Sequence, residues 1–332
     1  MALYPEALVR VLWPFWFGAT GSWWRKKPEG ELVAMLQQQA LYGKVYFLVI
    51  RALLSFLGMR RLLLLDDPRN VGVYCHAARA LGIPTTGYMH GKFNVYHVGL
   101  VASPFDVYLV WSPYFGAKIA SMWGERYPGK VVVCGLIRDA LFIPAREALP
   151  DNVLRVLWLD EDGVPLSEIR PYIEKLKGMS HVKVLFRPKP RAAAAHASFP
   201  DWYLSAFPHD GQVSFLQSLA HHHVDAVIGC HSTALLEAAM LGVAPVAVIT
   251  SFDYARDLGE DGVVFPCGSP EQMFAQLEAL AASPSHSPPS DWPTLKLAIE
   301  PFQPRVAQQE LSDQGFVLDA AVLHTGHTAC QS

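Results

Sequence analysis

The stretch from Val224 to Ile249, VDAVIGCHSTALLEAAMLGVAPVAVI, decides the fold. It opens with an apolar run, VDAVIG, short enough for a buried strand. It then turns through Cys230, His231, Ser232 and Thr233 into TALLEAAMLG, which has helical spacing and is closed by Gly242. A second apolar run, VAPVAVI, follows at once. Two buried strands joined by a helix make a βαβ unit, and such units build parallel sheets covered on both faces.

The same rhythm runs outward from this unit. Upstream lie the strand VLRVLWLDEDG, the helix PLSEIRPYIEKLKG, the strand HVKVLFRPKP and the helix VSFLQSLAHHH, with 192–212 reading as irregular; downstream comes the helix SPEQMFAQLEALAAS. An earlier series repeats the alternation: RRLLLLDD as a buried strand, PRNVGVYCHAARALG as a helix, then IPTTGYMHG and FDVYLVW as strands. SPYFGAKIASMWGERY follows as a helix opened by Ser112-Pro113, and KVVVCG as a strand. From Glu31 to Gly58 the pattern is helical, with KVYFLVIRALLSFLG readable as a buried helix or as a strand plus a helix. The expected architecture is α/β: two Rossmann-like domains with parallel sheets facing across a cleft, the first of them reduced. The boundaries are an aromatic and helical segment at 1–60 belonging to the first domain, the rest of that Rossmann-like domain at 61–148, a second Rossmann-like domain at 149–282, and a Pro/Ser-rich linker with a weakly patterned tail at 283–332.

Composition narrows the function classes. The 332 residues suffice for two domains, and a net charge of −3 exerts no general pull on nucleic acid. Five scattered cysteines without C-x-x-C spacing fit reduced thiols in a cytosol better than a disulfide framework. Near the N-terminus, VLWPFWFGATGSWWRKK places six aromatic rings before Arg25, Lys26 and Lys27. A secretory signal puts its cations first, and this apolar run is too short and broken to span a bilayer. The segment reads as an arm docked on its own domain or a sister subunit, or as peripheral membrane contact through amphipathic rings and cations. The expected location is the cytoplasm, at the inner face of the membrane in the second case.

The chemistry belongs to the loops after the strands. Cys230 to Thr233 stand at a helix start, where unpaired N–H groups favour an anion, and one hydroxyl suffices as a cap. Ser232, Thr233 and His231 could therefore donate to a phosphate, and Glu237 further along could accept from ribose hydroxyls; a plain Ser/Thr cap accounts for the same residues. In FRPKPR, Arg187, Lys189 and Arg191 alternate along an extended segment and could converge on the same anion, unless they form a solvated loop. Asp160, Glu161 and Asp162 cluster before Gly163, where mutual repulsion suits one of them to act as a general base, or where an ordinary Asp-Gly turn is formed. His90 and His97 flank the loop after TTGYM and suit acid–base work or hydrogen bonding better than metal. The run His221-His222-His223 points three ways from a helix end and is assigned no chemistry.

Together these segments resemble the GT-B superfamily of glycosyltransferases, and most of all the bacterial enzymes that build capsule, lipopolysaccharide and teichoic-acid polymers. GYMHGKFNVYHVGL resembles the Gln-His-Gly…His-x-Gly loop of surface-polysaccharide transferases, with Met89 where Gln is usual. FDVYLVWSPYF followed by VVVCGLIRDALF resembles their strand–helix–G-x-x-R-x-D-x-L succession, which brings Arg138 into the acceptor side with His97. DEDG, RPKP and HST follow the order of the D/E-D/E-G, H-P and S-S/T motifs of bacterial sialyltransferases. The likeness covers Arg61 to Gly268. It implies that Asp162 or Glu161 is the base, that Lys189 stands where a motif His binds donor phosphate, and that Ser232 and Thr233 hold that phosphate. His90 would match the first-domain base of the glycerophosphotransferase-like branch. The implied activity is transfer of a sugar from a nucleotide-activated donor, CMP- or CDP-linked, to a hydroxyl of a surface glycan or a lipid-linked acceptor, with no metal and no cofactor beyond the donor. The alternatives are CDP-glycerol-type glycerophosphate transfer and a non-catalytic scaffold of polysaccharide assembly.

Overall fold

The computed structural model describes residues 28–66, 71–93, 100, 105–137, 153–189, 199–211, 214–252, 256–283, 299–300 and 302–316, with backbone alone for 28–40. The aromatic stretch before Pro28, as well as His97, Arg138 and Arg191, lies outside these residues.

Helix α1 (Pro28–Phe56) settles the first ambiguity: the segment is one continuous helix, not a strand plus a helix. Ile50 and Leu54, one turn apart, are buried with Ala77, Ala78, Leu62 and Ile83, a helical spacing that a strand would break. The chain leaves the helix through Gly58 at φ +60°, a left-handed conformation that a side chain would strain. There follow β1 (Leu62–Leu65), α2 (Val71–Arg79), β2 (Thr85–Tyr88), β3 (Val107–Val110), α3 (Pro113–Trp123) and β4 (Lys130–Val133). The four strands form a parallel sheet in the order β1-β2-β3-β4. Strand β1 departs from the buried strand expected of RRLLLLDD. It is the sheet's edge, and Leu63 and Leu65 are exposed on one of its faces.

The second half contains β5 (Leu154–Leu159), α4 (Leu166–Lys177), β6 (Val182–Arg187), α5 (Asp201–Leu204), α6 (Phe215–His221), β7 (Ala226–Gly229) and α7 (Ala234–Met240). It continues with β8 (Ala244–Val248), α8 (Arg256–Glu260), β9 (Phe265–Cys267) and α9 (Pro270–Ala282). Its five strands are all parallel in the order β6-β5-β7-β8-β9. The sequential direction therefore reverses between β5 and β7, and a doubly wound sheet opens a crevice at such a reversal, beyond the strands' carboxyl ends. The short α5 and α8 carry too few turns for a periodic signal. Strand β9 contains Pro266, which an edge position tolerates.

The tail expected at 283–332 contains a further helix, α10 (Pro304–Asp313), and it returns to the first half. Leu136 N donates to Glu300 O at 2.9 Å and Gln303 N to Cys134 O at 2.7 Å, extending the backbone bonding beyond β4. Thr86 Oγ1 reaches Gln314 at 2.8 Å, and Lys130 pairs with Glu310 of α10 at 2.6 Å. A second tie joins the halves directly: buried Lys118 of α3 pairs with Asp257 of α8, and with Asp261 at 2.9 Å, while Tyr114 donates to Asp261 at 2.6 Å. One continuous apolar core includes Trp111 and Phe115 from the first half and Leu157, Val227 and Leu235 from the second.

Candidate active site between the two halves

The helix start after β7 does hold an anion, and that anion belongs to the chain itself. Glu161, following β5, accepts from three consecutive backbone N–H groups: Cys230 at 2.9 Å, His231 at 2.5 Å and Ser232 at 3.0 Å. These are donors that the sequence reading offered to a phosphate; a buried carboxylate satisfies them instead and ties the loops on either side of the β5–β7 reversal. Gly229 makes the approach feasible, since a Cβ there would sit 2.4 Å from Glu161 Oε1. His231 Nε2 lies 2.8 Å from the carbonyl of Asp162, which can only accept, so this nitrogen carries the proton. Ser232 Oγ accepts from Ala234 N at 3.2 Å. Thr233 begins α7 in helical geometry without a side-chain capping bond. The neighbouring Cys230 thiol is pushed well above the ordinary range by burial and then by Glu161, so it is a poor nucleophile.

The other carboxylates separate by role. Asp160 is buried, accepting from Lys189 N at 3.1 Å and from the Tyr203 hydroxyl at 3.0 Å. Of the three carboxylates expected to supply a base, Glu161 is thus engaged by backbone N–H groups, and Asp160 by one backbone N–H and one phenol. Asp162 is the exposed member and pairs with Lys189 at 2.7 Å. Arg187, at the end of β6, is anchored by Asp210 at 2.6 Å and by Ser218 at 2.8 Å.

The first half contributes an arrangement that sequence reasoning found only in part. Asp66 is buried at the carboxyl end of β1. It accepts from the backbone N–H of His90 at 2.8 Å, makes a very short contact with His90 Nδ1 and accepts another very short bond from the Tyr108 hydroxyl. The imidazole is thereby fixed with Nδ1–H directed at a carboxylate, leaving Nε2 as the basic nitrogen. His90 itself remains substantially exposed. Lys92, two residues on, is buried, and that burial lowers its pKa to about 8. The signals for both were present: an acidic residue ending a parallel strand, and a lysine following His-Gly.

Both halves line one cavity of about 550 Å³. His90, Gly91 and Lys92 come from the first half, and Asp160, Glu161, Arg187, Lys189, His231, Ser232 and Thr233 from the second. Phe215 and Phe252 supply aromatic walls, the Phe252 ring lying 5.1 Å from that of His231. At the seam, Lys92 N lies 3.5 Å from Thr233 Oγ1. Lys189, Ser232 and Thr233, expected from the sequence to meet at one anion, all line this cavity. Glu237, expected beside a ribose, is buried in α7 and is not among the residues lining this cavity. Among the described residues, no group of three or more His, Cys, Asp or Glu is arranged to hold a metal ion.

No family model and no curated protein matches the chain. Solved structures do. A UDP-GlcNAc 2-epimerase of Methanocaldococcus jannaschii, in complex with UDP-GlcNAc and UDP, superposes with a TM-score of 0.58 at 12% identity, over 82% of this chain and 81% of that one. The S. aureus protein MnaA, solved with UDP, gives 0.55 at 10% identity, over 81% and 77%. MurG of Acinetobacter baumannii gives 0.46 at 17% identity, over 70% and 68%. The first two likenesses, with the two parallel sheets, establish a GT-B-like two-domain fold.

Proposed function

We propose that this protein is a metal-independent glycosyltransferase that moves a sugar from a nucleotide-activated donor to a hydroxyl of a surface glycan or lipid-linked acceptor. The observation that carries this reading is the cavity, in which a carboxylate-oriented histidine from one half faces the lysine and hydroxyls of the other. Lys189, Lys92 and the hydroxyls of Ser232 and Thr233 would receive the donor's phosphates, and Phe252 or Phe215 offers a face to the base or sugar. The donor is taken as CMP- or CDP-linked from the motif resemblance; the UDP bound by two proteins of similar fold makes UDP-sugars the first comparison.

For a nucleoside-diphosphate donor the transfer balances as follows. His90 Nε2 takes the proton of the acceptor hydroxyl while its oxygen forms a bond to the anomeric carbon. The bond from that carbon to the phosphate oxygen breaks, and the nucleoside diphosphate leaves with the electron pair. Asp66 stabilises the imidazolium, and the lysines offset charge gathering on the leaving phosphate, an electrostatic contribution that is often the largest in such reactions.

The test is donor consumption with CMP-, CDP- and UDP-sugars, in the wild type and in folded His90→Gln. The variant should lose about 10²–10⁴-fold in turnover while still binding nucleotide. Wild-type turnover in His90→Gln would overturn the reading. Consumption of CDP-glycerol with all sugars inert, or epimerisation of the donor without an acceptor, would replace it.

A further inference from the structure

Among the described residues, the exposed large apolar side chains gather in one segment. Of the eleven large apolar side chains exposed among the described residues, nine lie between Tyr42 and Leu65. On α1, Tyr42, Val49, Leu53 and Phe56 are spaced by seven, four and three residues and so share one stripe, with Leu48 beside it and Leu57 just past the helix end. Phe56 is 82% exposed. Met59 and the outward Leu63 and Leu65 of edge strand β1 continue the surface. A different stripe of α1 packs, through Ile50 and Leu54, about 100° round the helix from the first. The helix is therefore apolar on two sides, and only one is covered by the described residues.

Charge identifies what the second side fits. No acidic residue occurs from Leu32 to Leu65, while Lys44, Arg51 and Arg60 are exposed there. Lys44 and Arg51, seven residues apart, line one flank of the apolar arc. An apolar strip edged by cations is the pattern of an interfacial helix: the strip enters the acyl boundary while the long basic side chains reach lipid phosphates. A symmetric contact with a second copy would instead bring the same cations toward each other with no carboxylate between them. Among the described residues, no helix is long and apolar enough to cross a membrane, so the contact would be one of lying on the surface.

We propose that the outer face of α1 with edge strand β1 docks the protein on an anionic phospholipid surface. This goes beyond the transfer reaction and does not depend on it. The experiment is sedimentation of the full chain with vesicles of phosphatidylglycerol and phosphatidylcholine, against phosphatidylcholine alone, with oligomeric state followed by light scattering. The wild type should partition onto the anionic vesicles, and 0.5 M salt should weaken that binding. Leu53→Glu/Phe56→Glu should weaken it at least tenfold with unchanged melting temperature. Lys44→Ser/Arg51→Ser/Arg60→Ser, which spares the apolar strip, should lose the preference for anionic over neutral lipid. Nucleotide binding in solution, read separately, should be the same in all three proteins. Absence of wild-type binding, equal binding by Leu53→Glu/Phe56→Glu, or a vesicle-indifferent dimer dissolved by that double substitution would overturn the proposal.

Discussion

His90 owes its orientation to a residue 24 positions earlier, because β1 and β2 are parallel neighbours and their carboxyl ends meet. Asp66 touches no cavity space of its own; it is a positioning residue, and its replacement should show that. In Asp66→Asn, turnover should fall with KM little changed, and the acidic limb of the rate profile should move to lower pH as the imidazolium loses its carboxylate. An unchanged pH profile would reduce Asp66 to packing. Lys92 makes a second residue-scale prediction. Burial lowers its pKa from 10.5 to about 8, so at alkaline pH it gives up its proton more readily than an ordinary lysine. A bound diphosphate favours the charged form and raises that pKa, so binding should take up a proton between pH 8 and 10. Calorimetry in buffers of different ionisation enthalpy should find this uptake in the wild type and lose it in Lys92→Met. At this scale the sequence made His90, Lys189, Ser232 and Thr233 legible, because each follows a recognisable strand. It could not say which acid of Asp160–Asp162 faces outward, since that depends on the distant donors at Cys230 and Tyr203.

Among the elements, the junction of β7 and α7 shows what the positive end of the helix start at His231-Ser232-Thr233 holds. The positive end was read correctly from the strand–helix pattern; its occupant was not, because Glu161 lies 69 positions from Cys230 and reaches it only through the adjacency of β5 and β7. Glu161→Gln exchanges an acceptor oxygen for an amide donor facing backbone N–H groups and should cost about 1–3 kcal/mol in denaturant unfolding. Gly229→Ala should do comparable damage by displacing the same carboxylate, and wild-type stability in both would remove the carboxylate's structural role. The helical character of the first part of α1 and the start of α3 at Ser112-Pro113 were readable locally, although Ser112 makes no side-chain capping bond; the continuation of α1 to Phe56 was not. The three-residue β9 and the exposed side of β1 were not, because edge position is a property of the assembled sheet.

At the level of the whole molecule, two alternating series announced two parallel sheets, and the reversal between β5 and β7 accounts for where their loops meet. The return of α10 to the first sheet had no local signal: the contacts of Glu310 and Gln314 are made with residues more than a hundred positions away. The tie through Lys118 is of the same kind, and it places two carboxylates of the second half on one cation of the first. Lys118→Met would leave Asp257 and Asp261 repelling each other at the seam, with an expected loss of about 1–3 kcal/mol and a weaker coupling of the halves in thermal unfolding. A single transition unchanged in midpoint would show that the apolar core alone joins them. The most direct measurement is calorimetric titration of CDP and UDP into the wild type, Lys189→Ala and Thr233→Val. Saturable binding of at least one nucleotide is expected, weakened tenfold or more by each substitution while the empty proteins melt alike. Binding unaffected by both substitutions, or no binding by a folded wild type, would contradict a phosphate site between the halves.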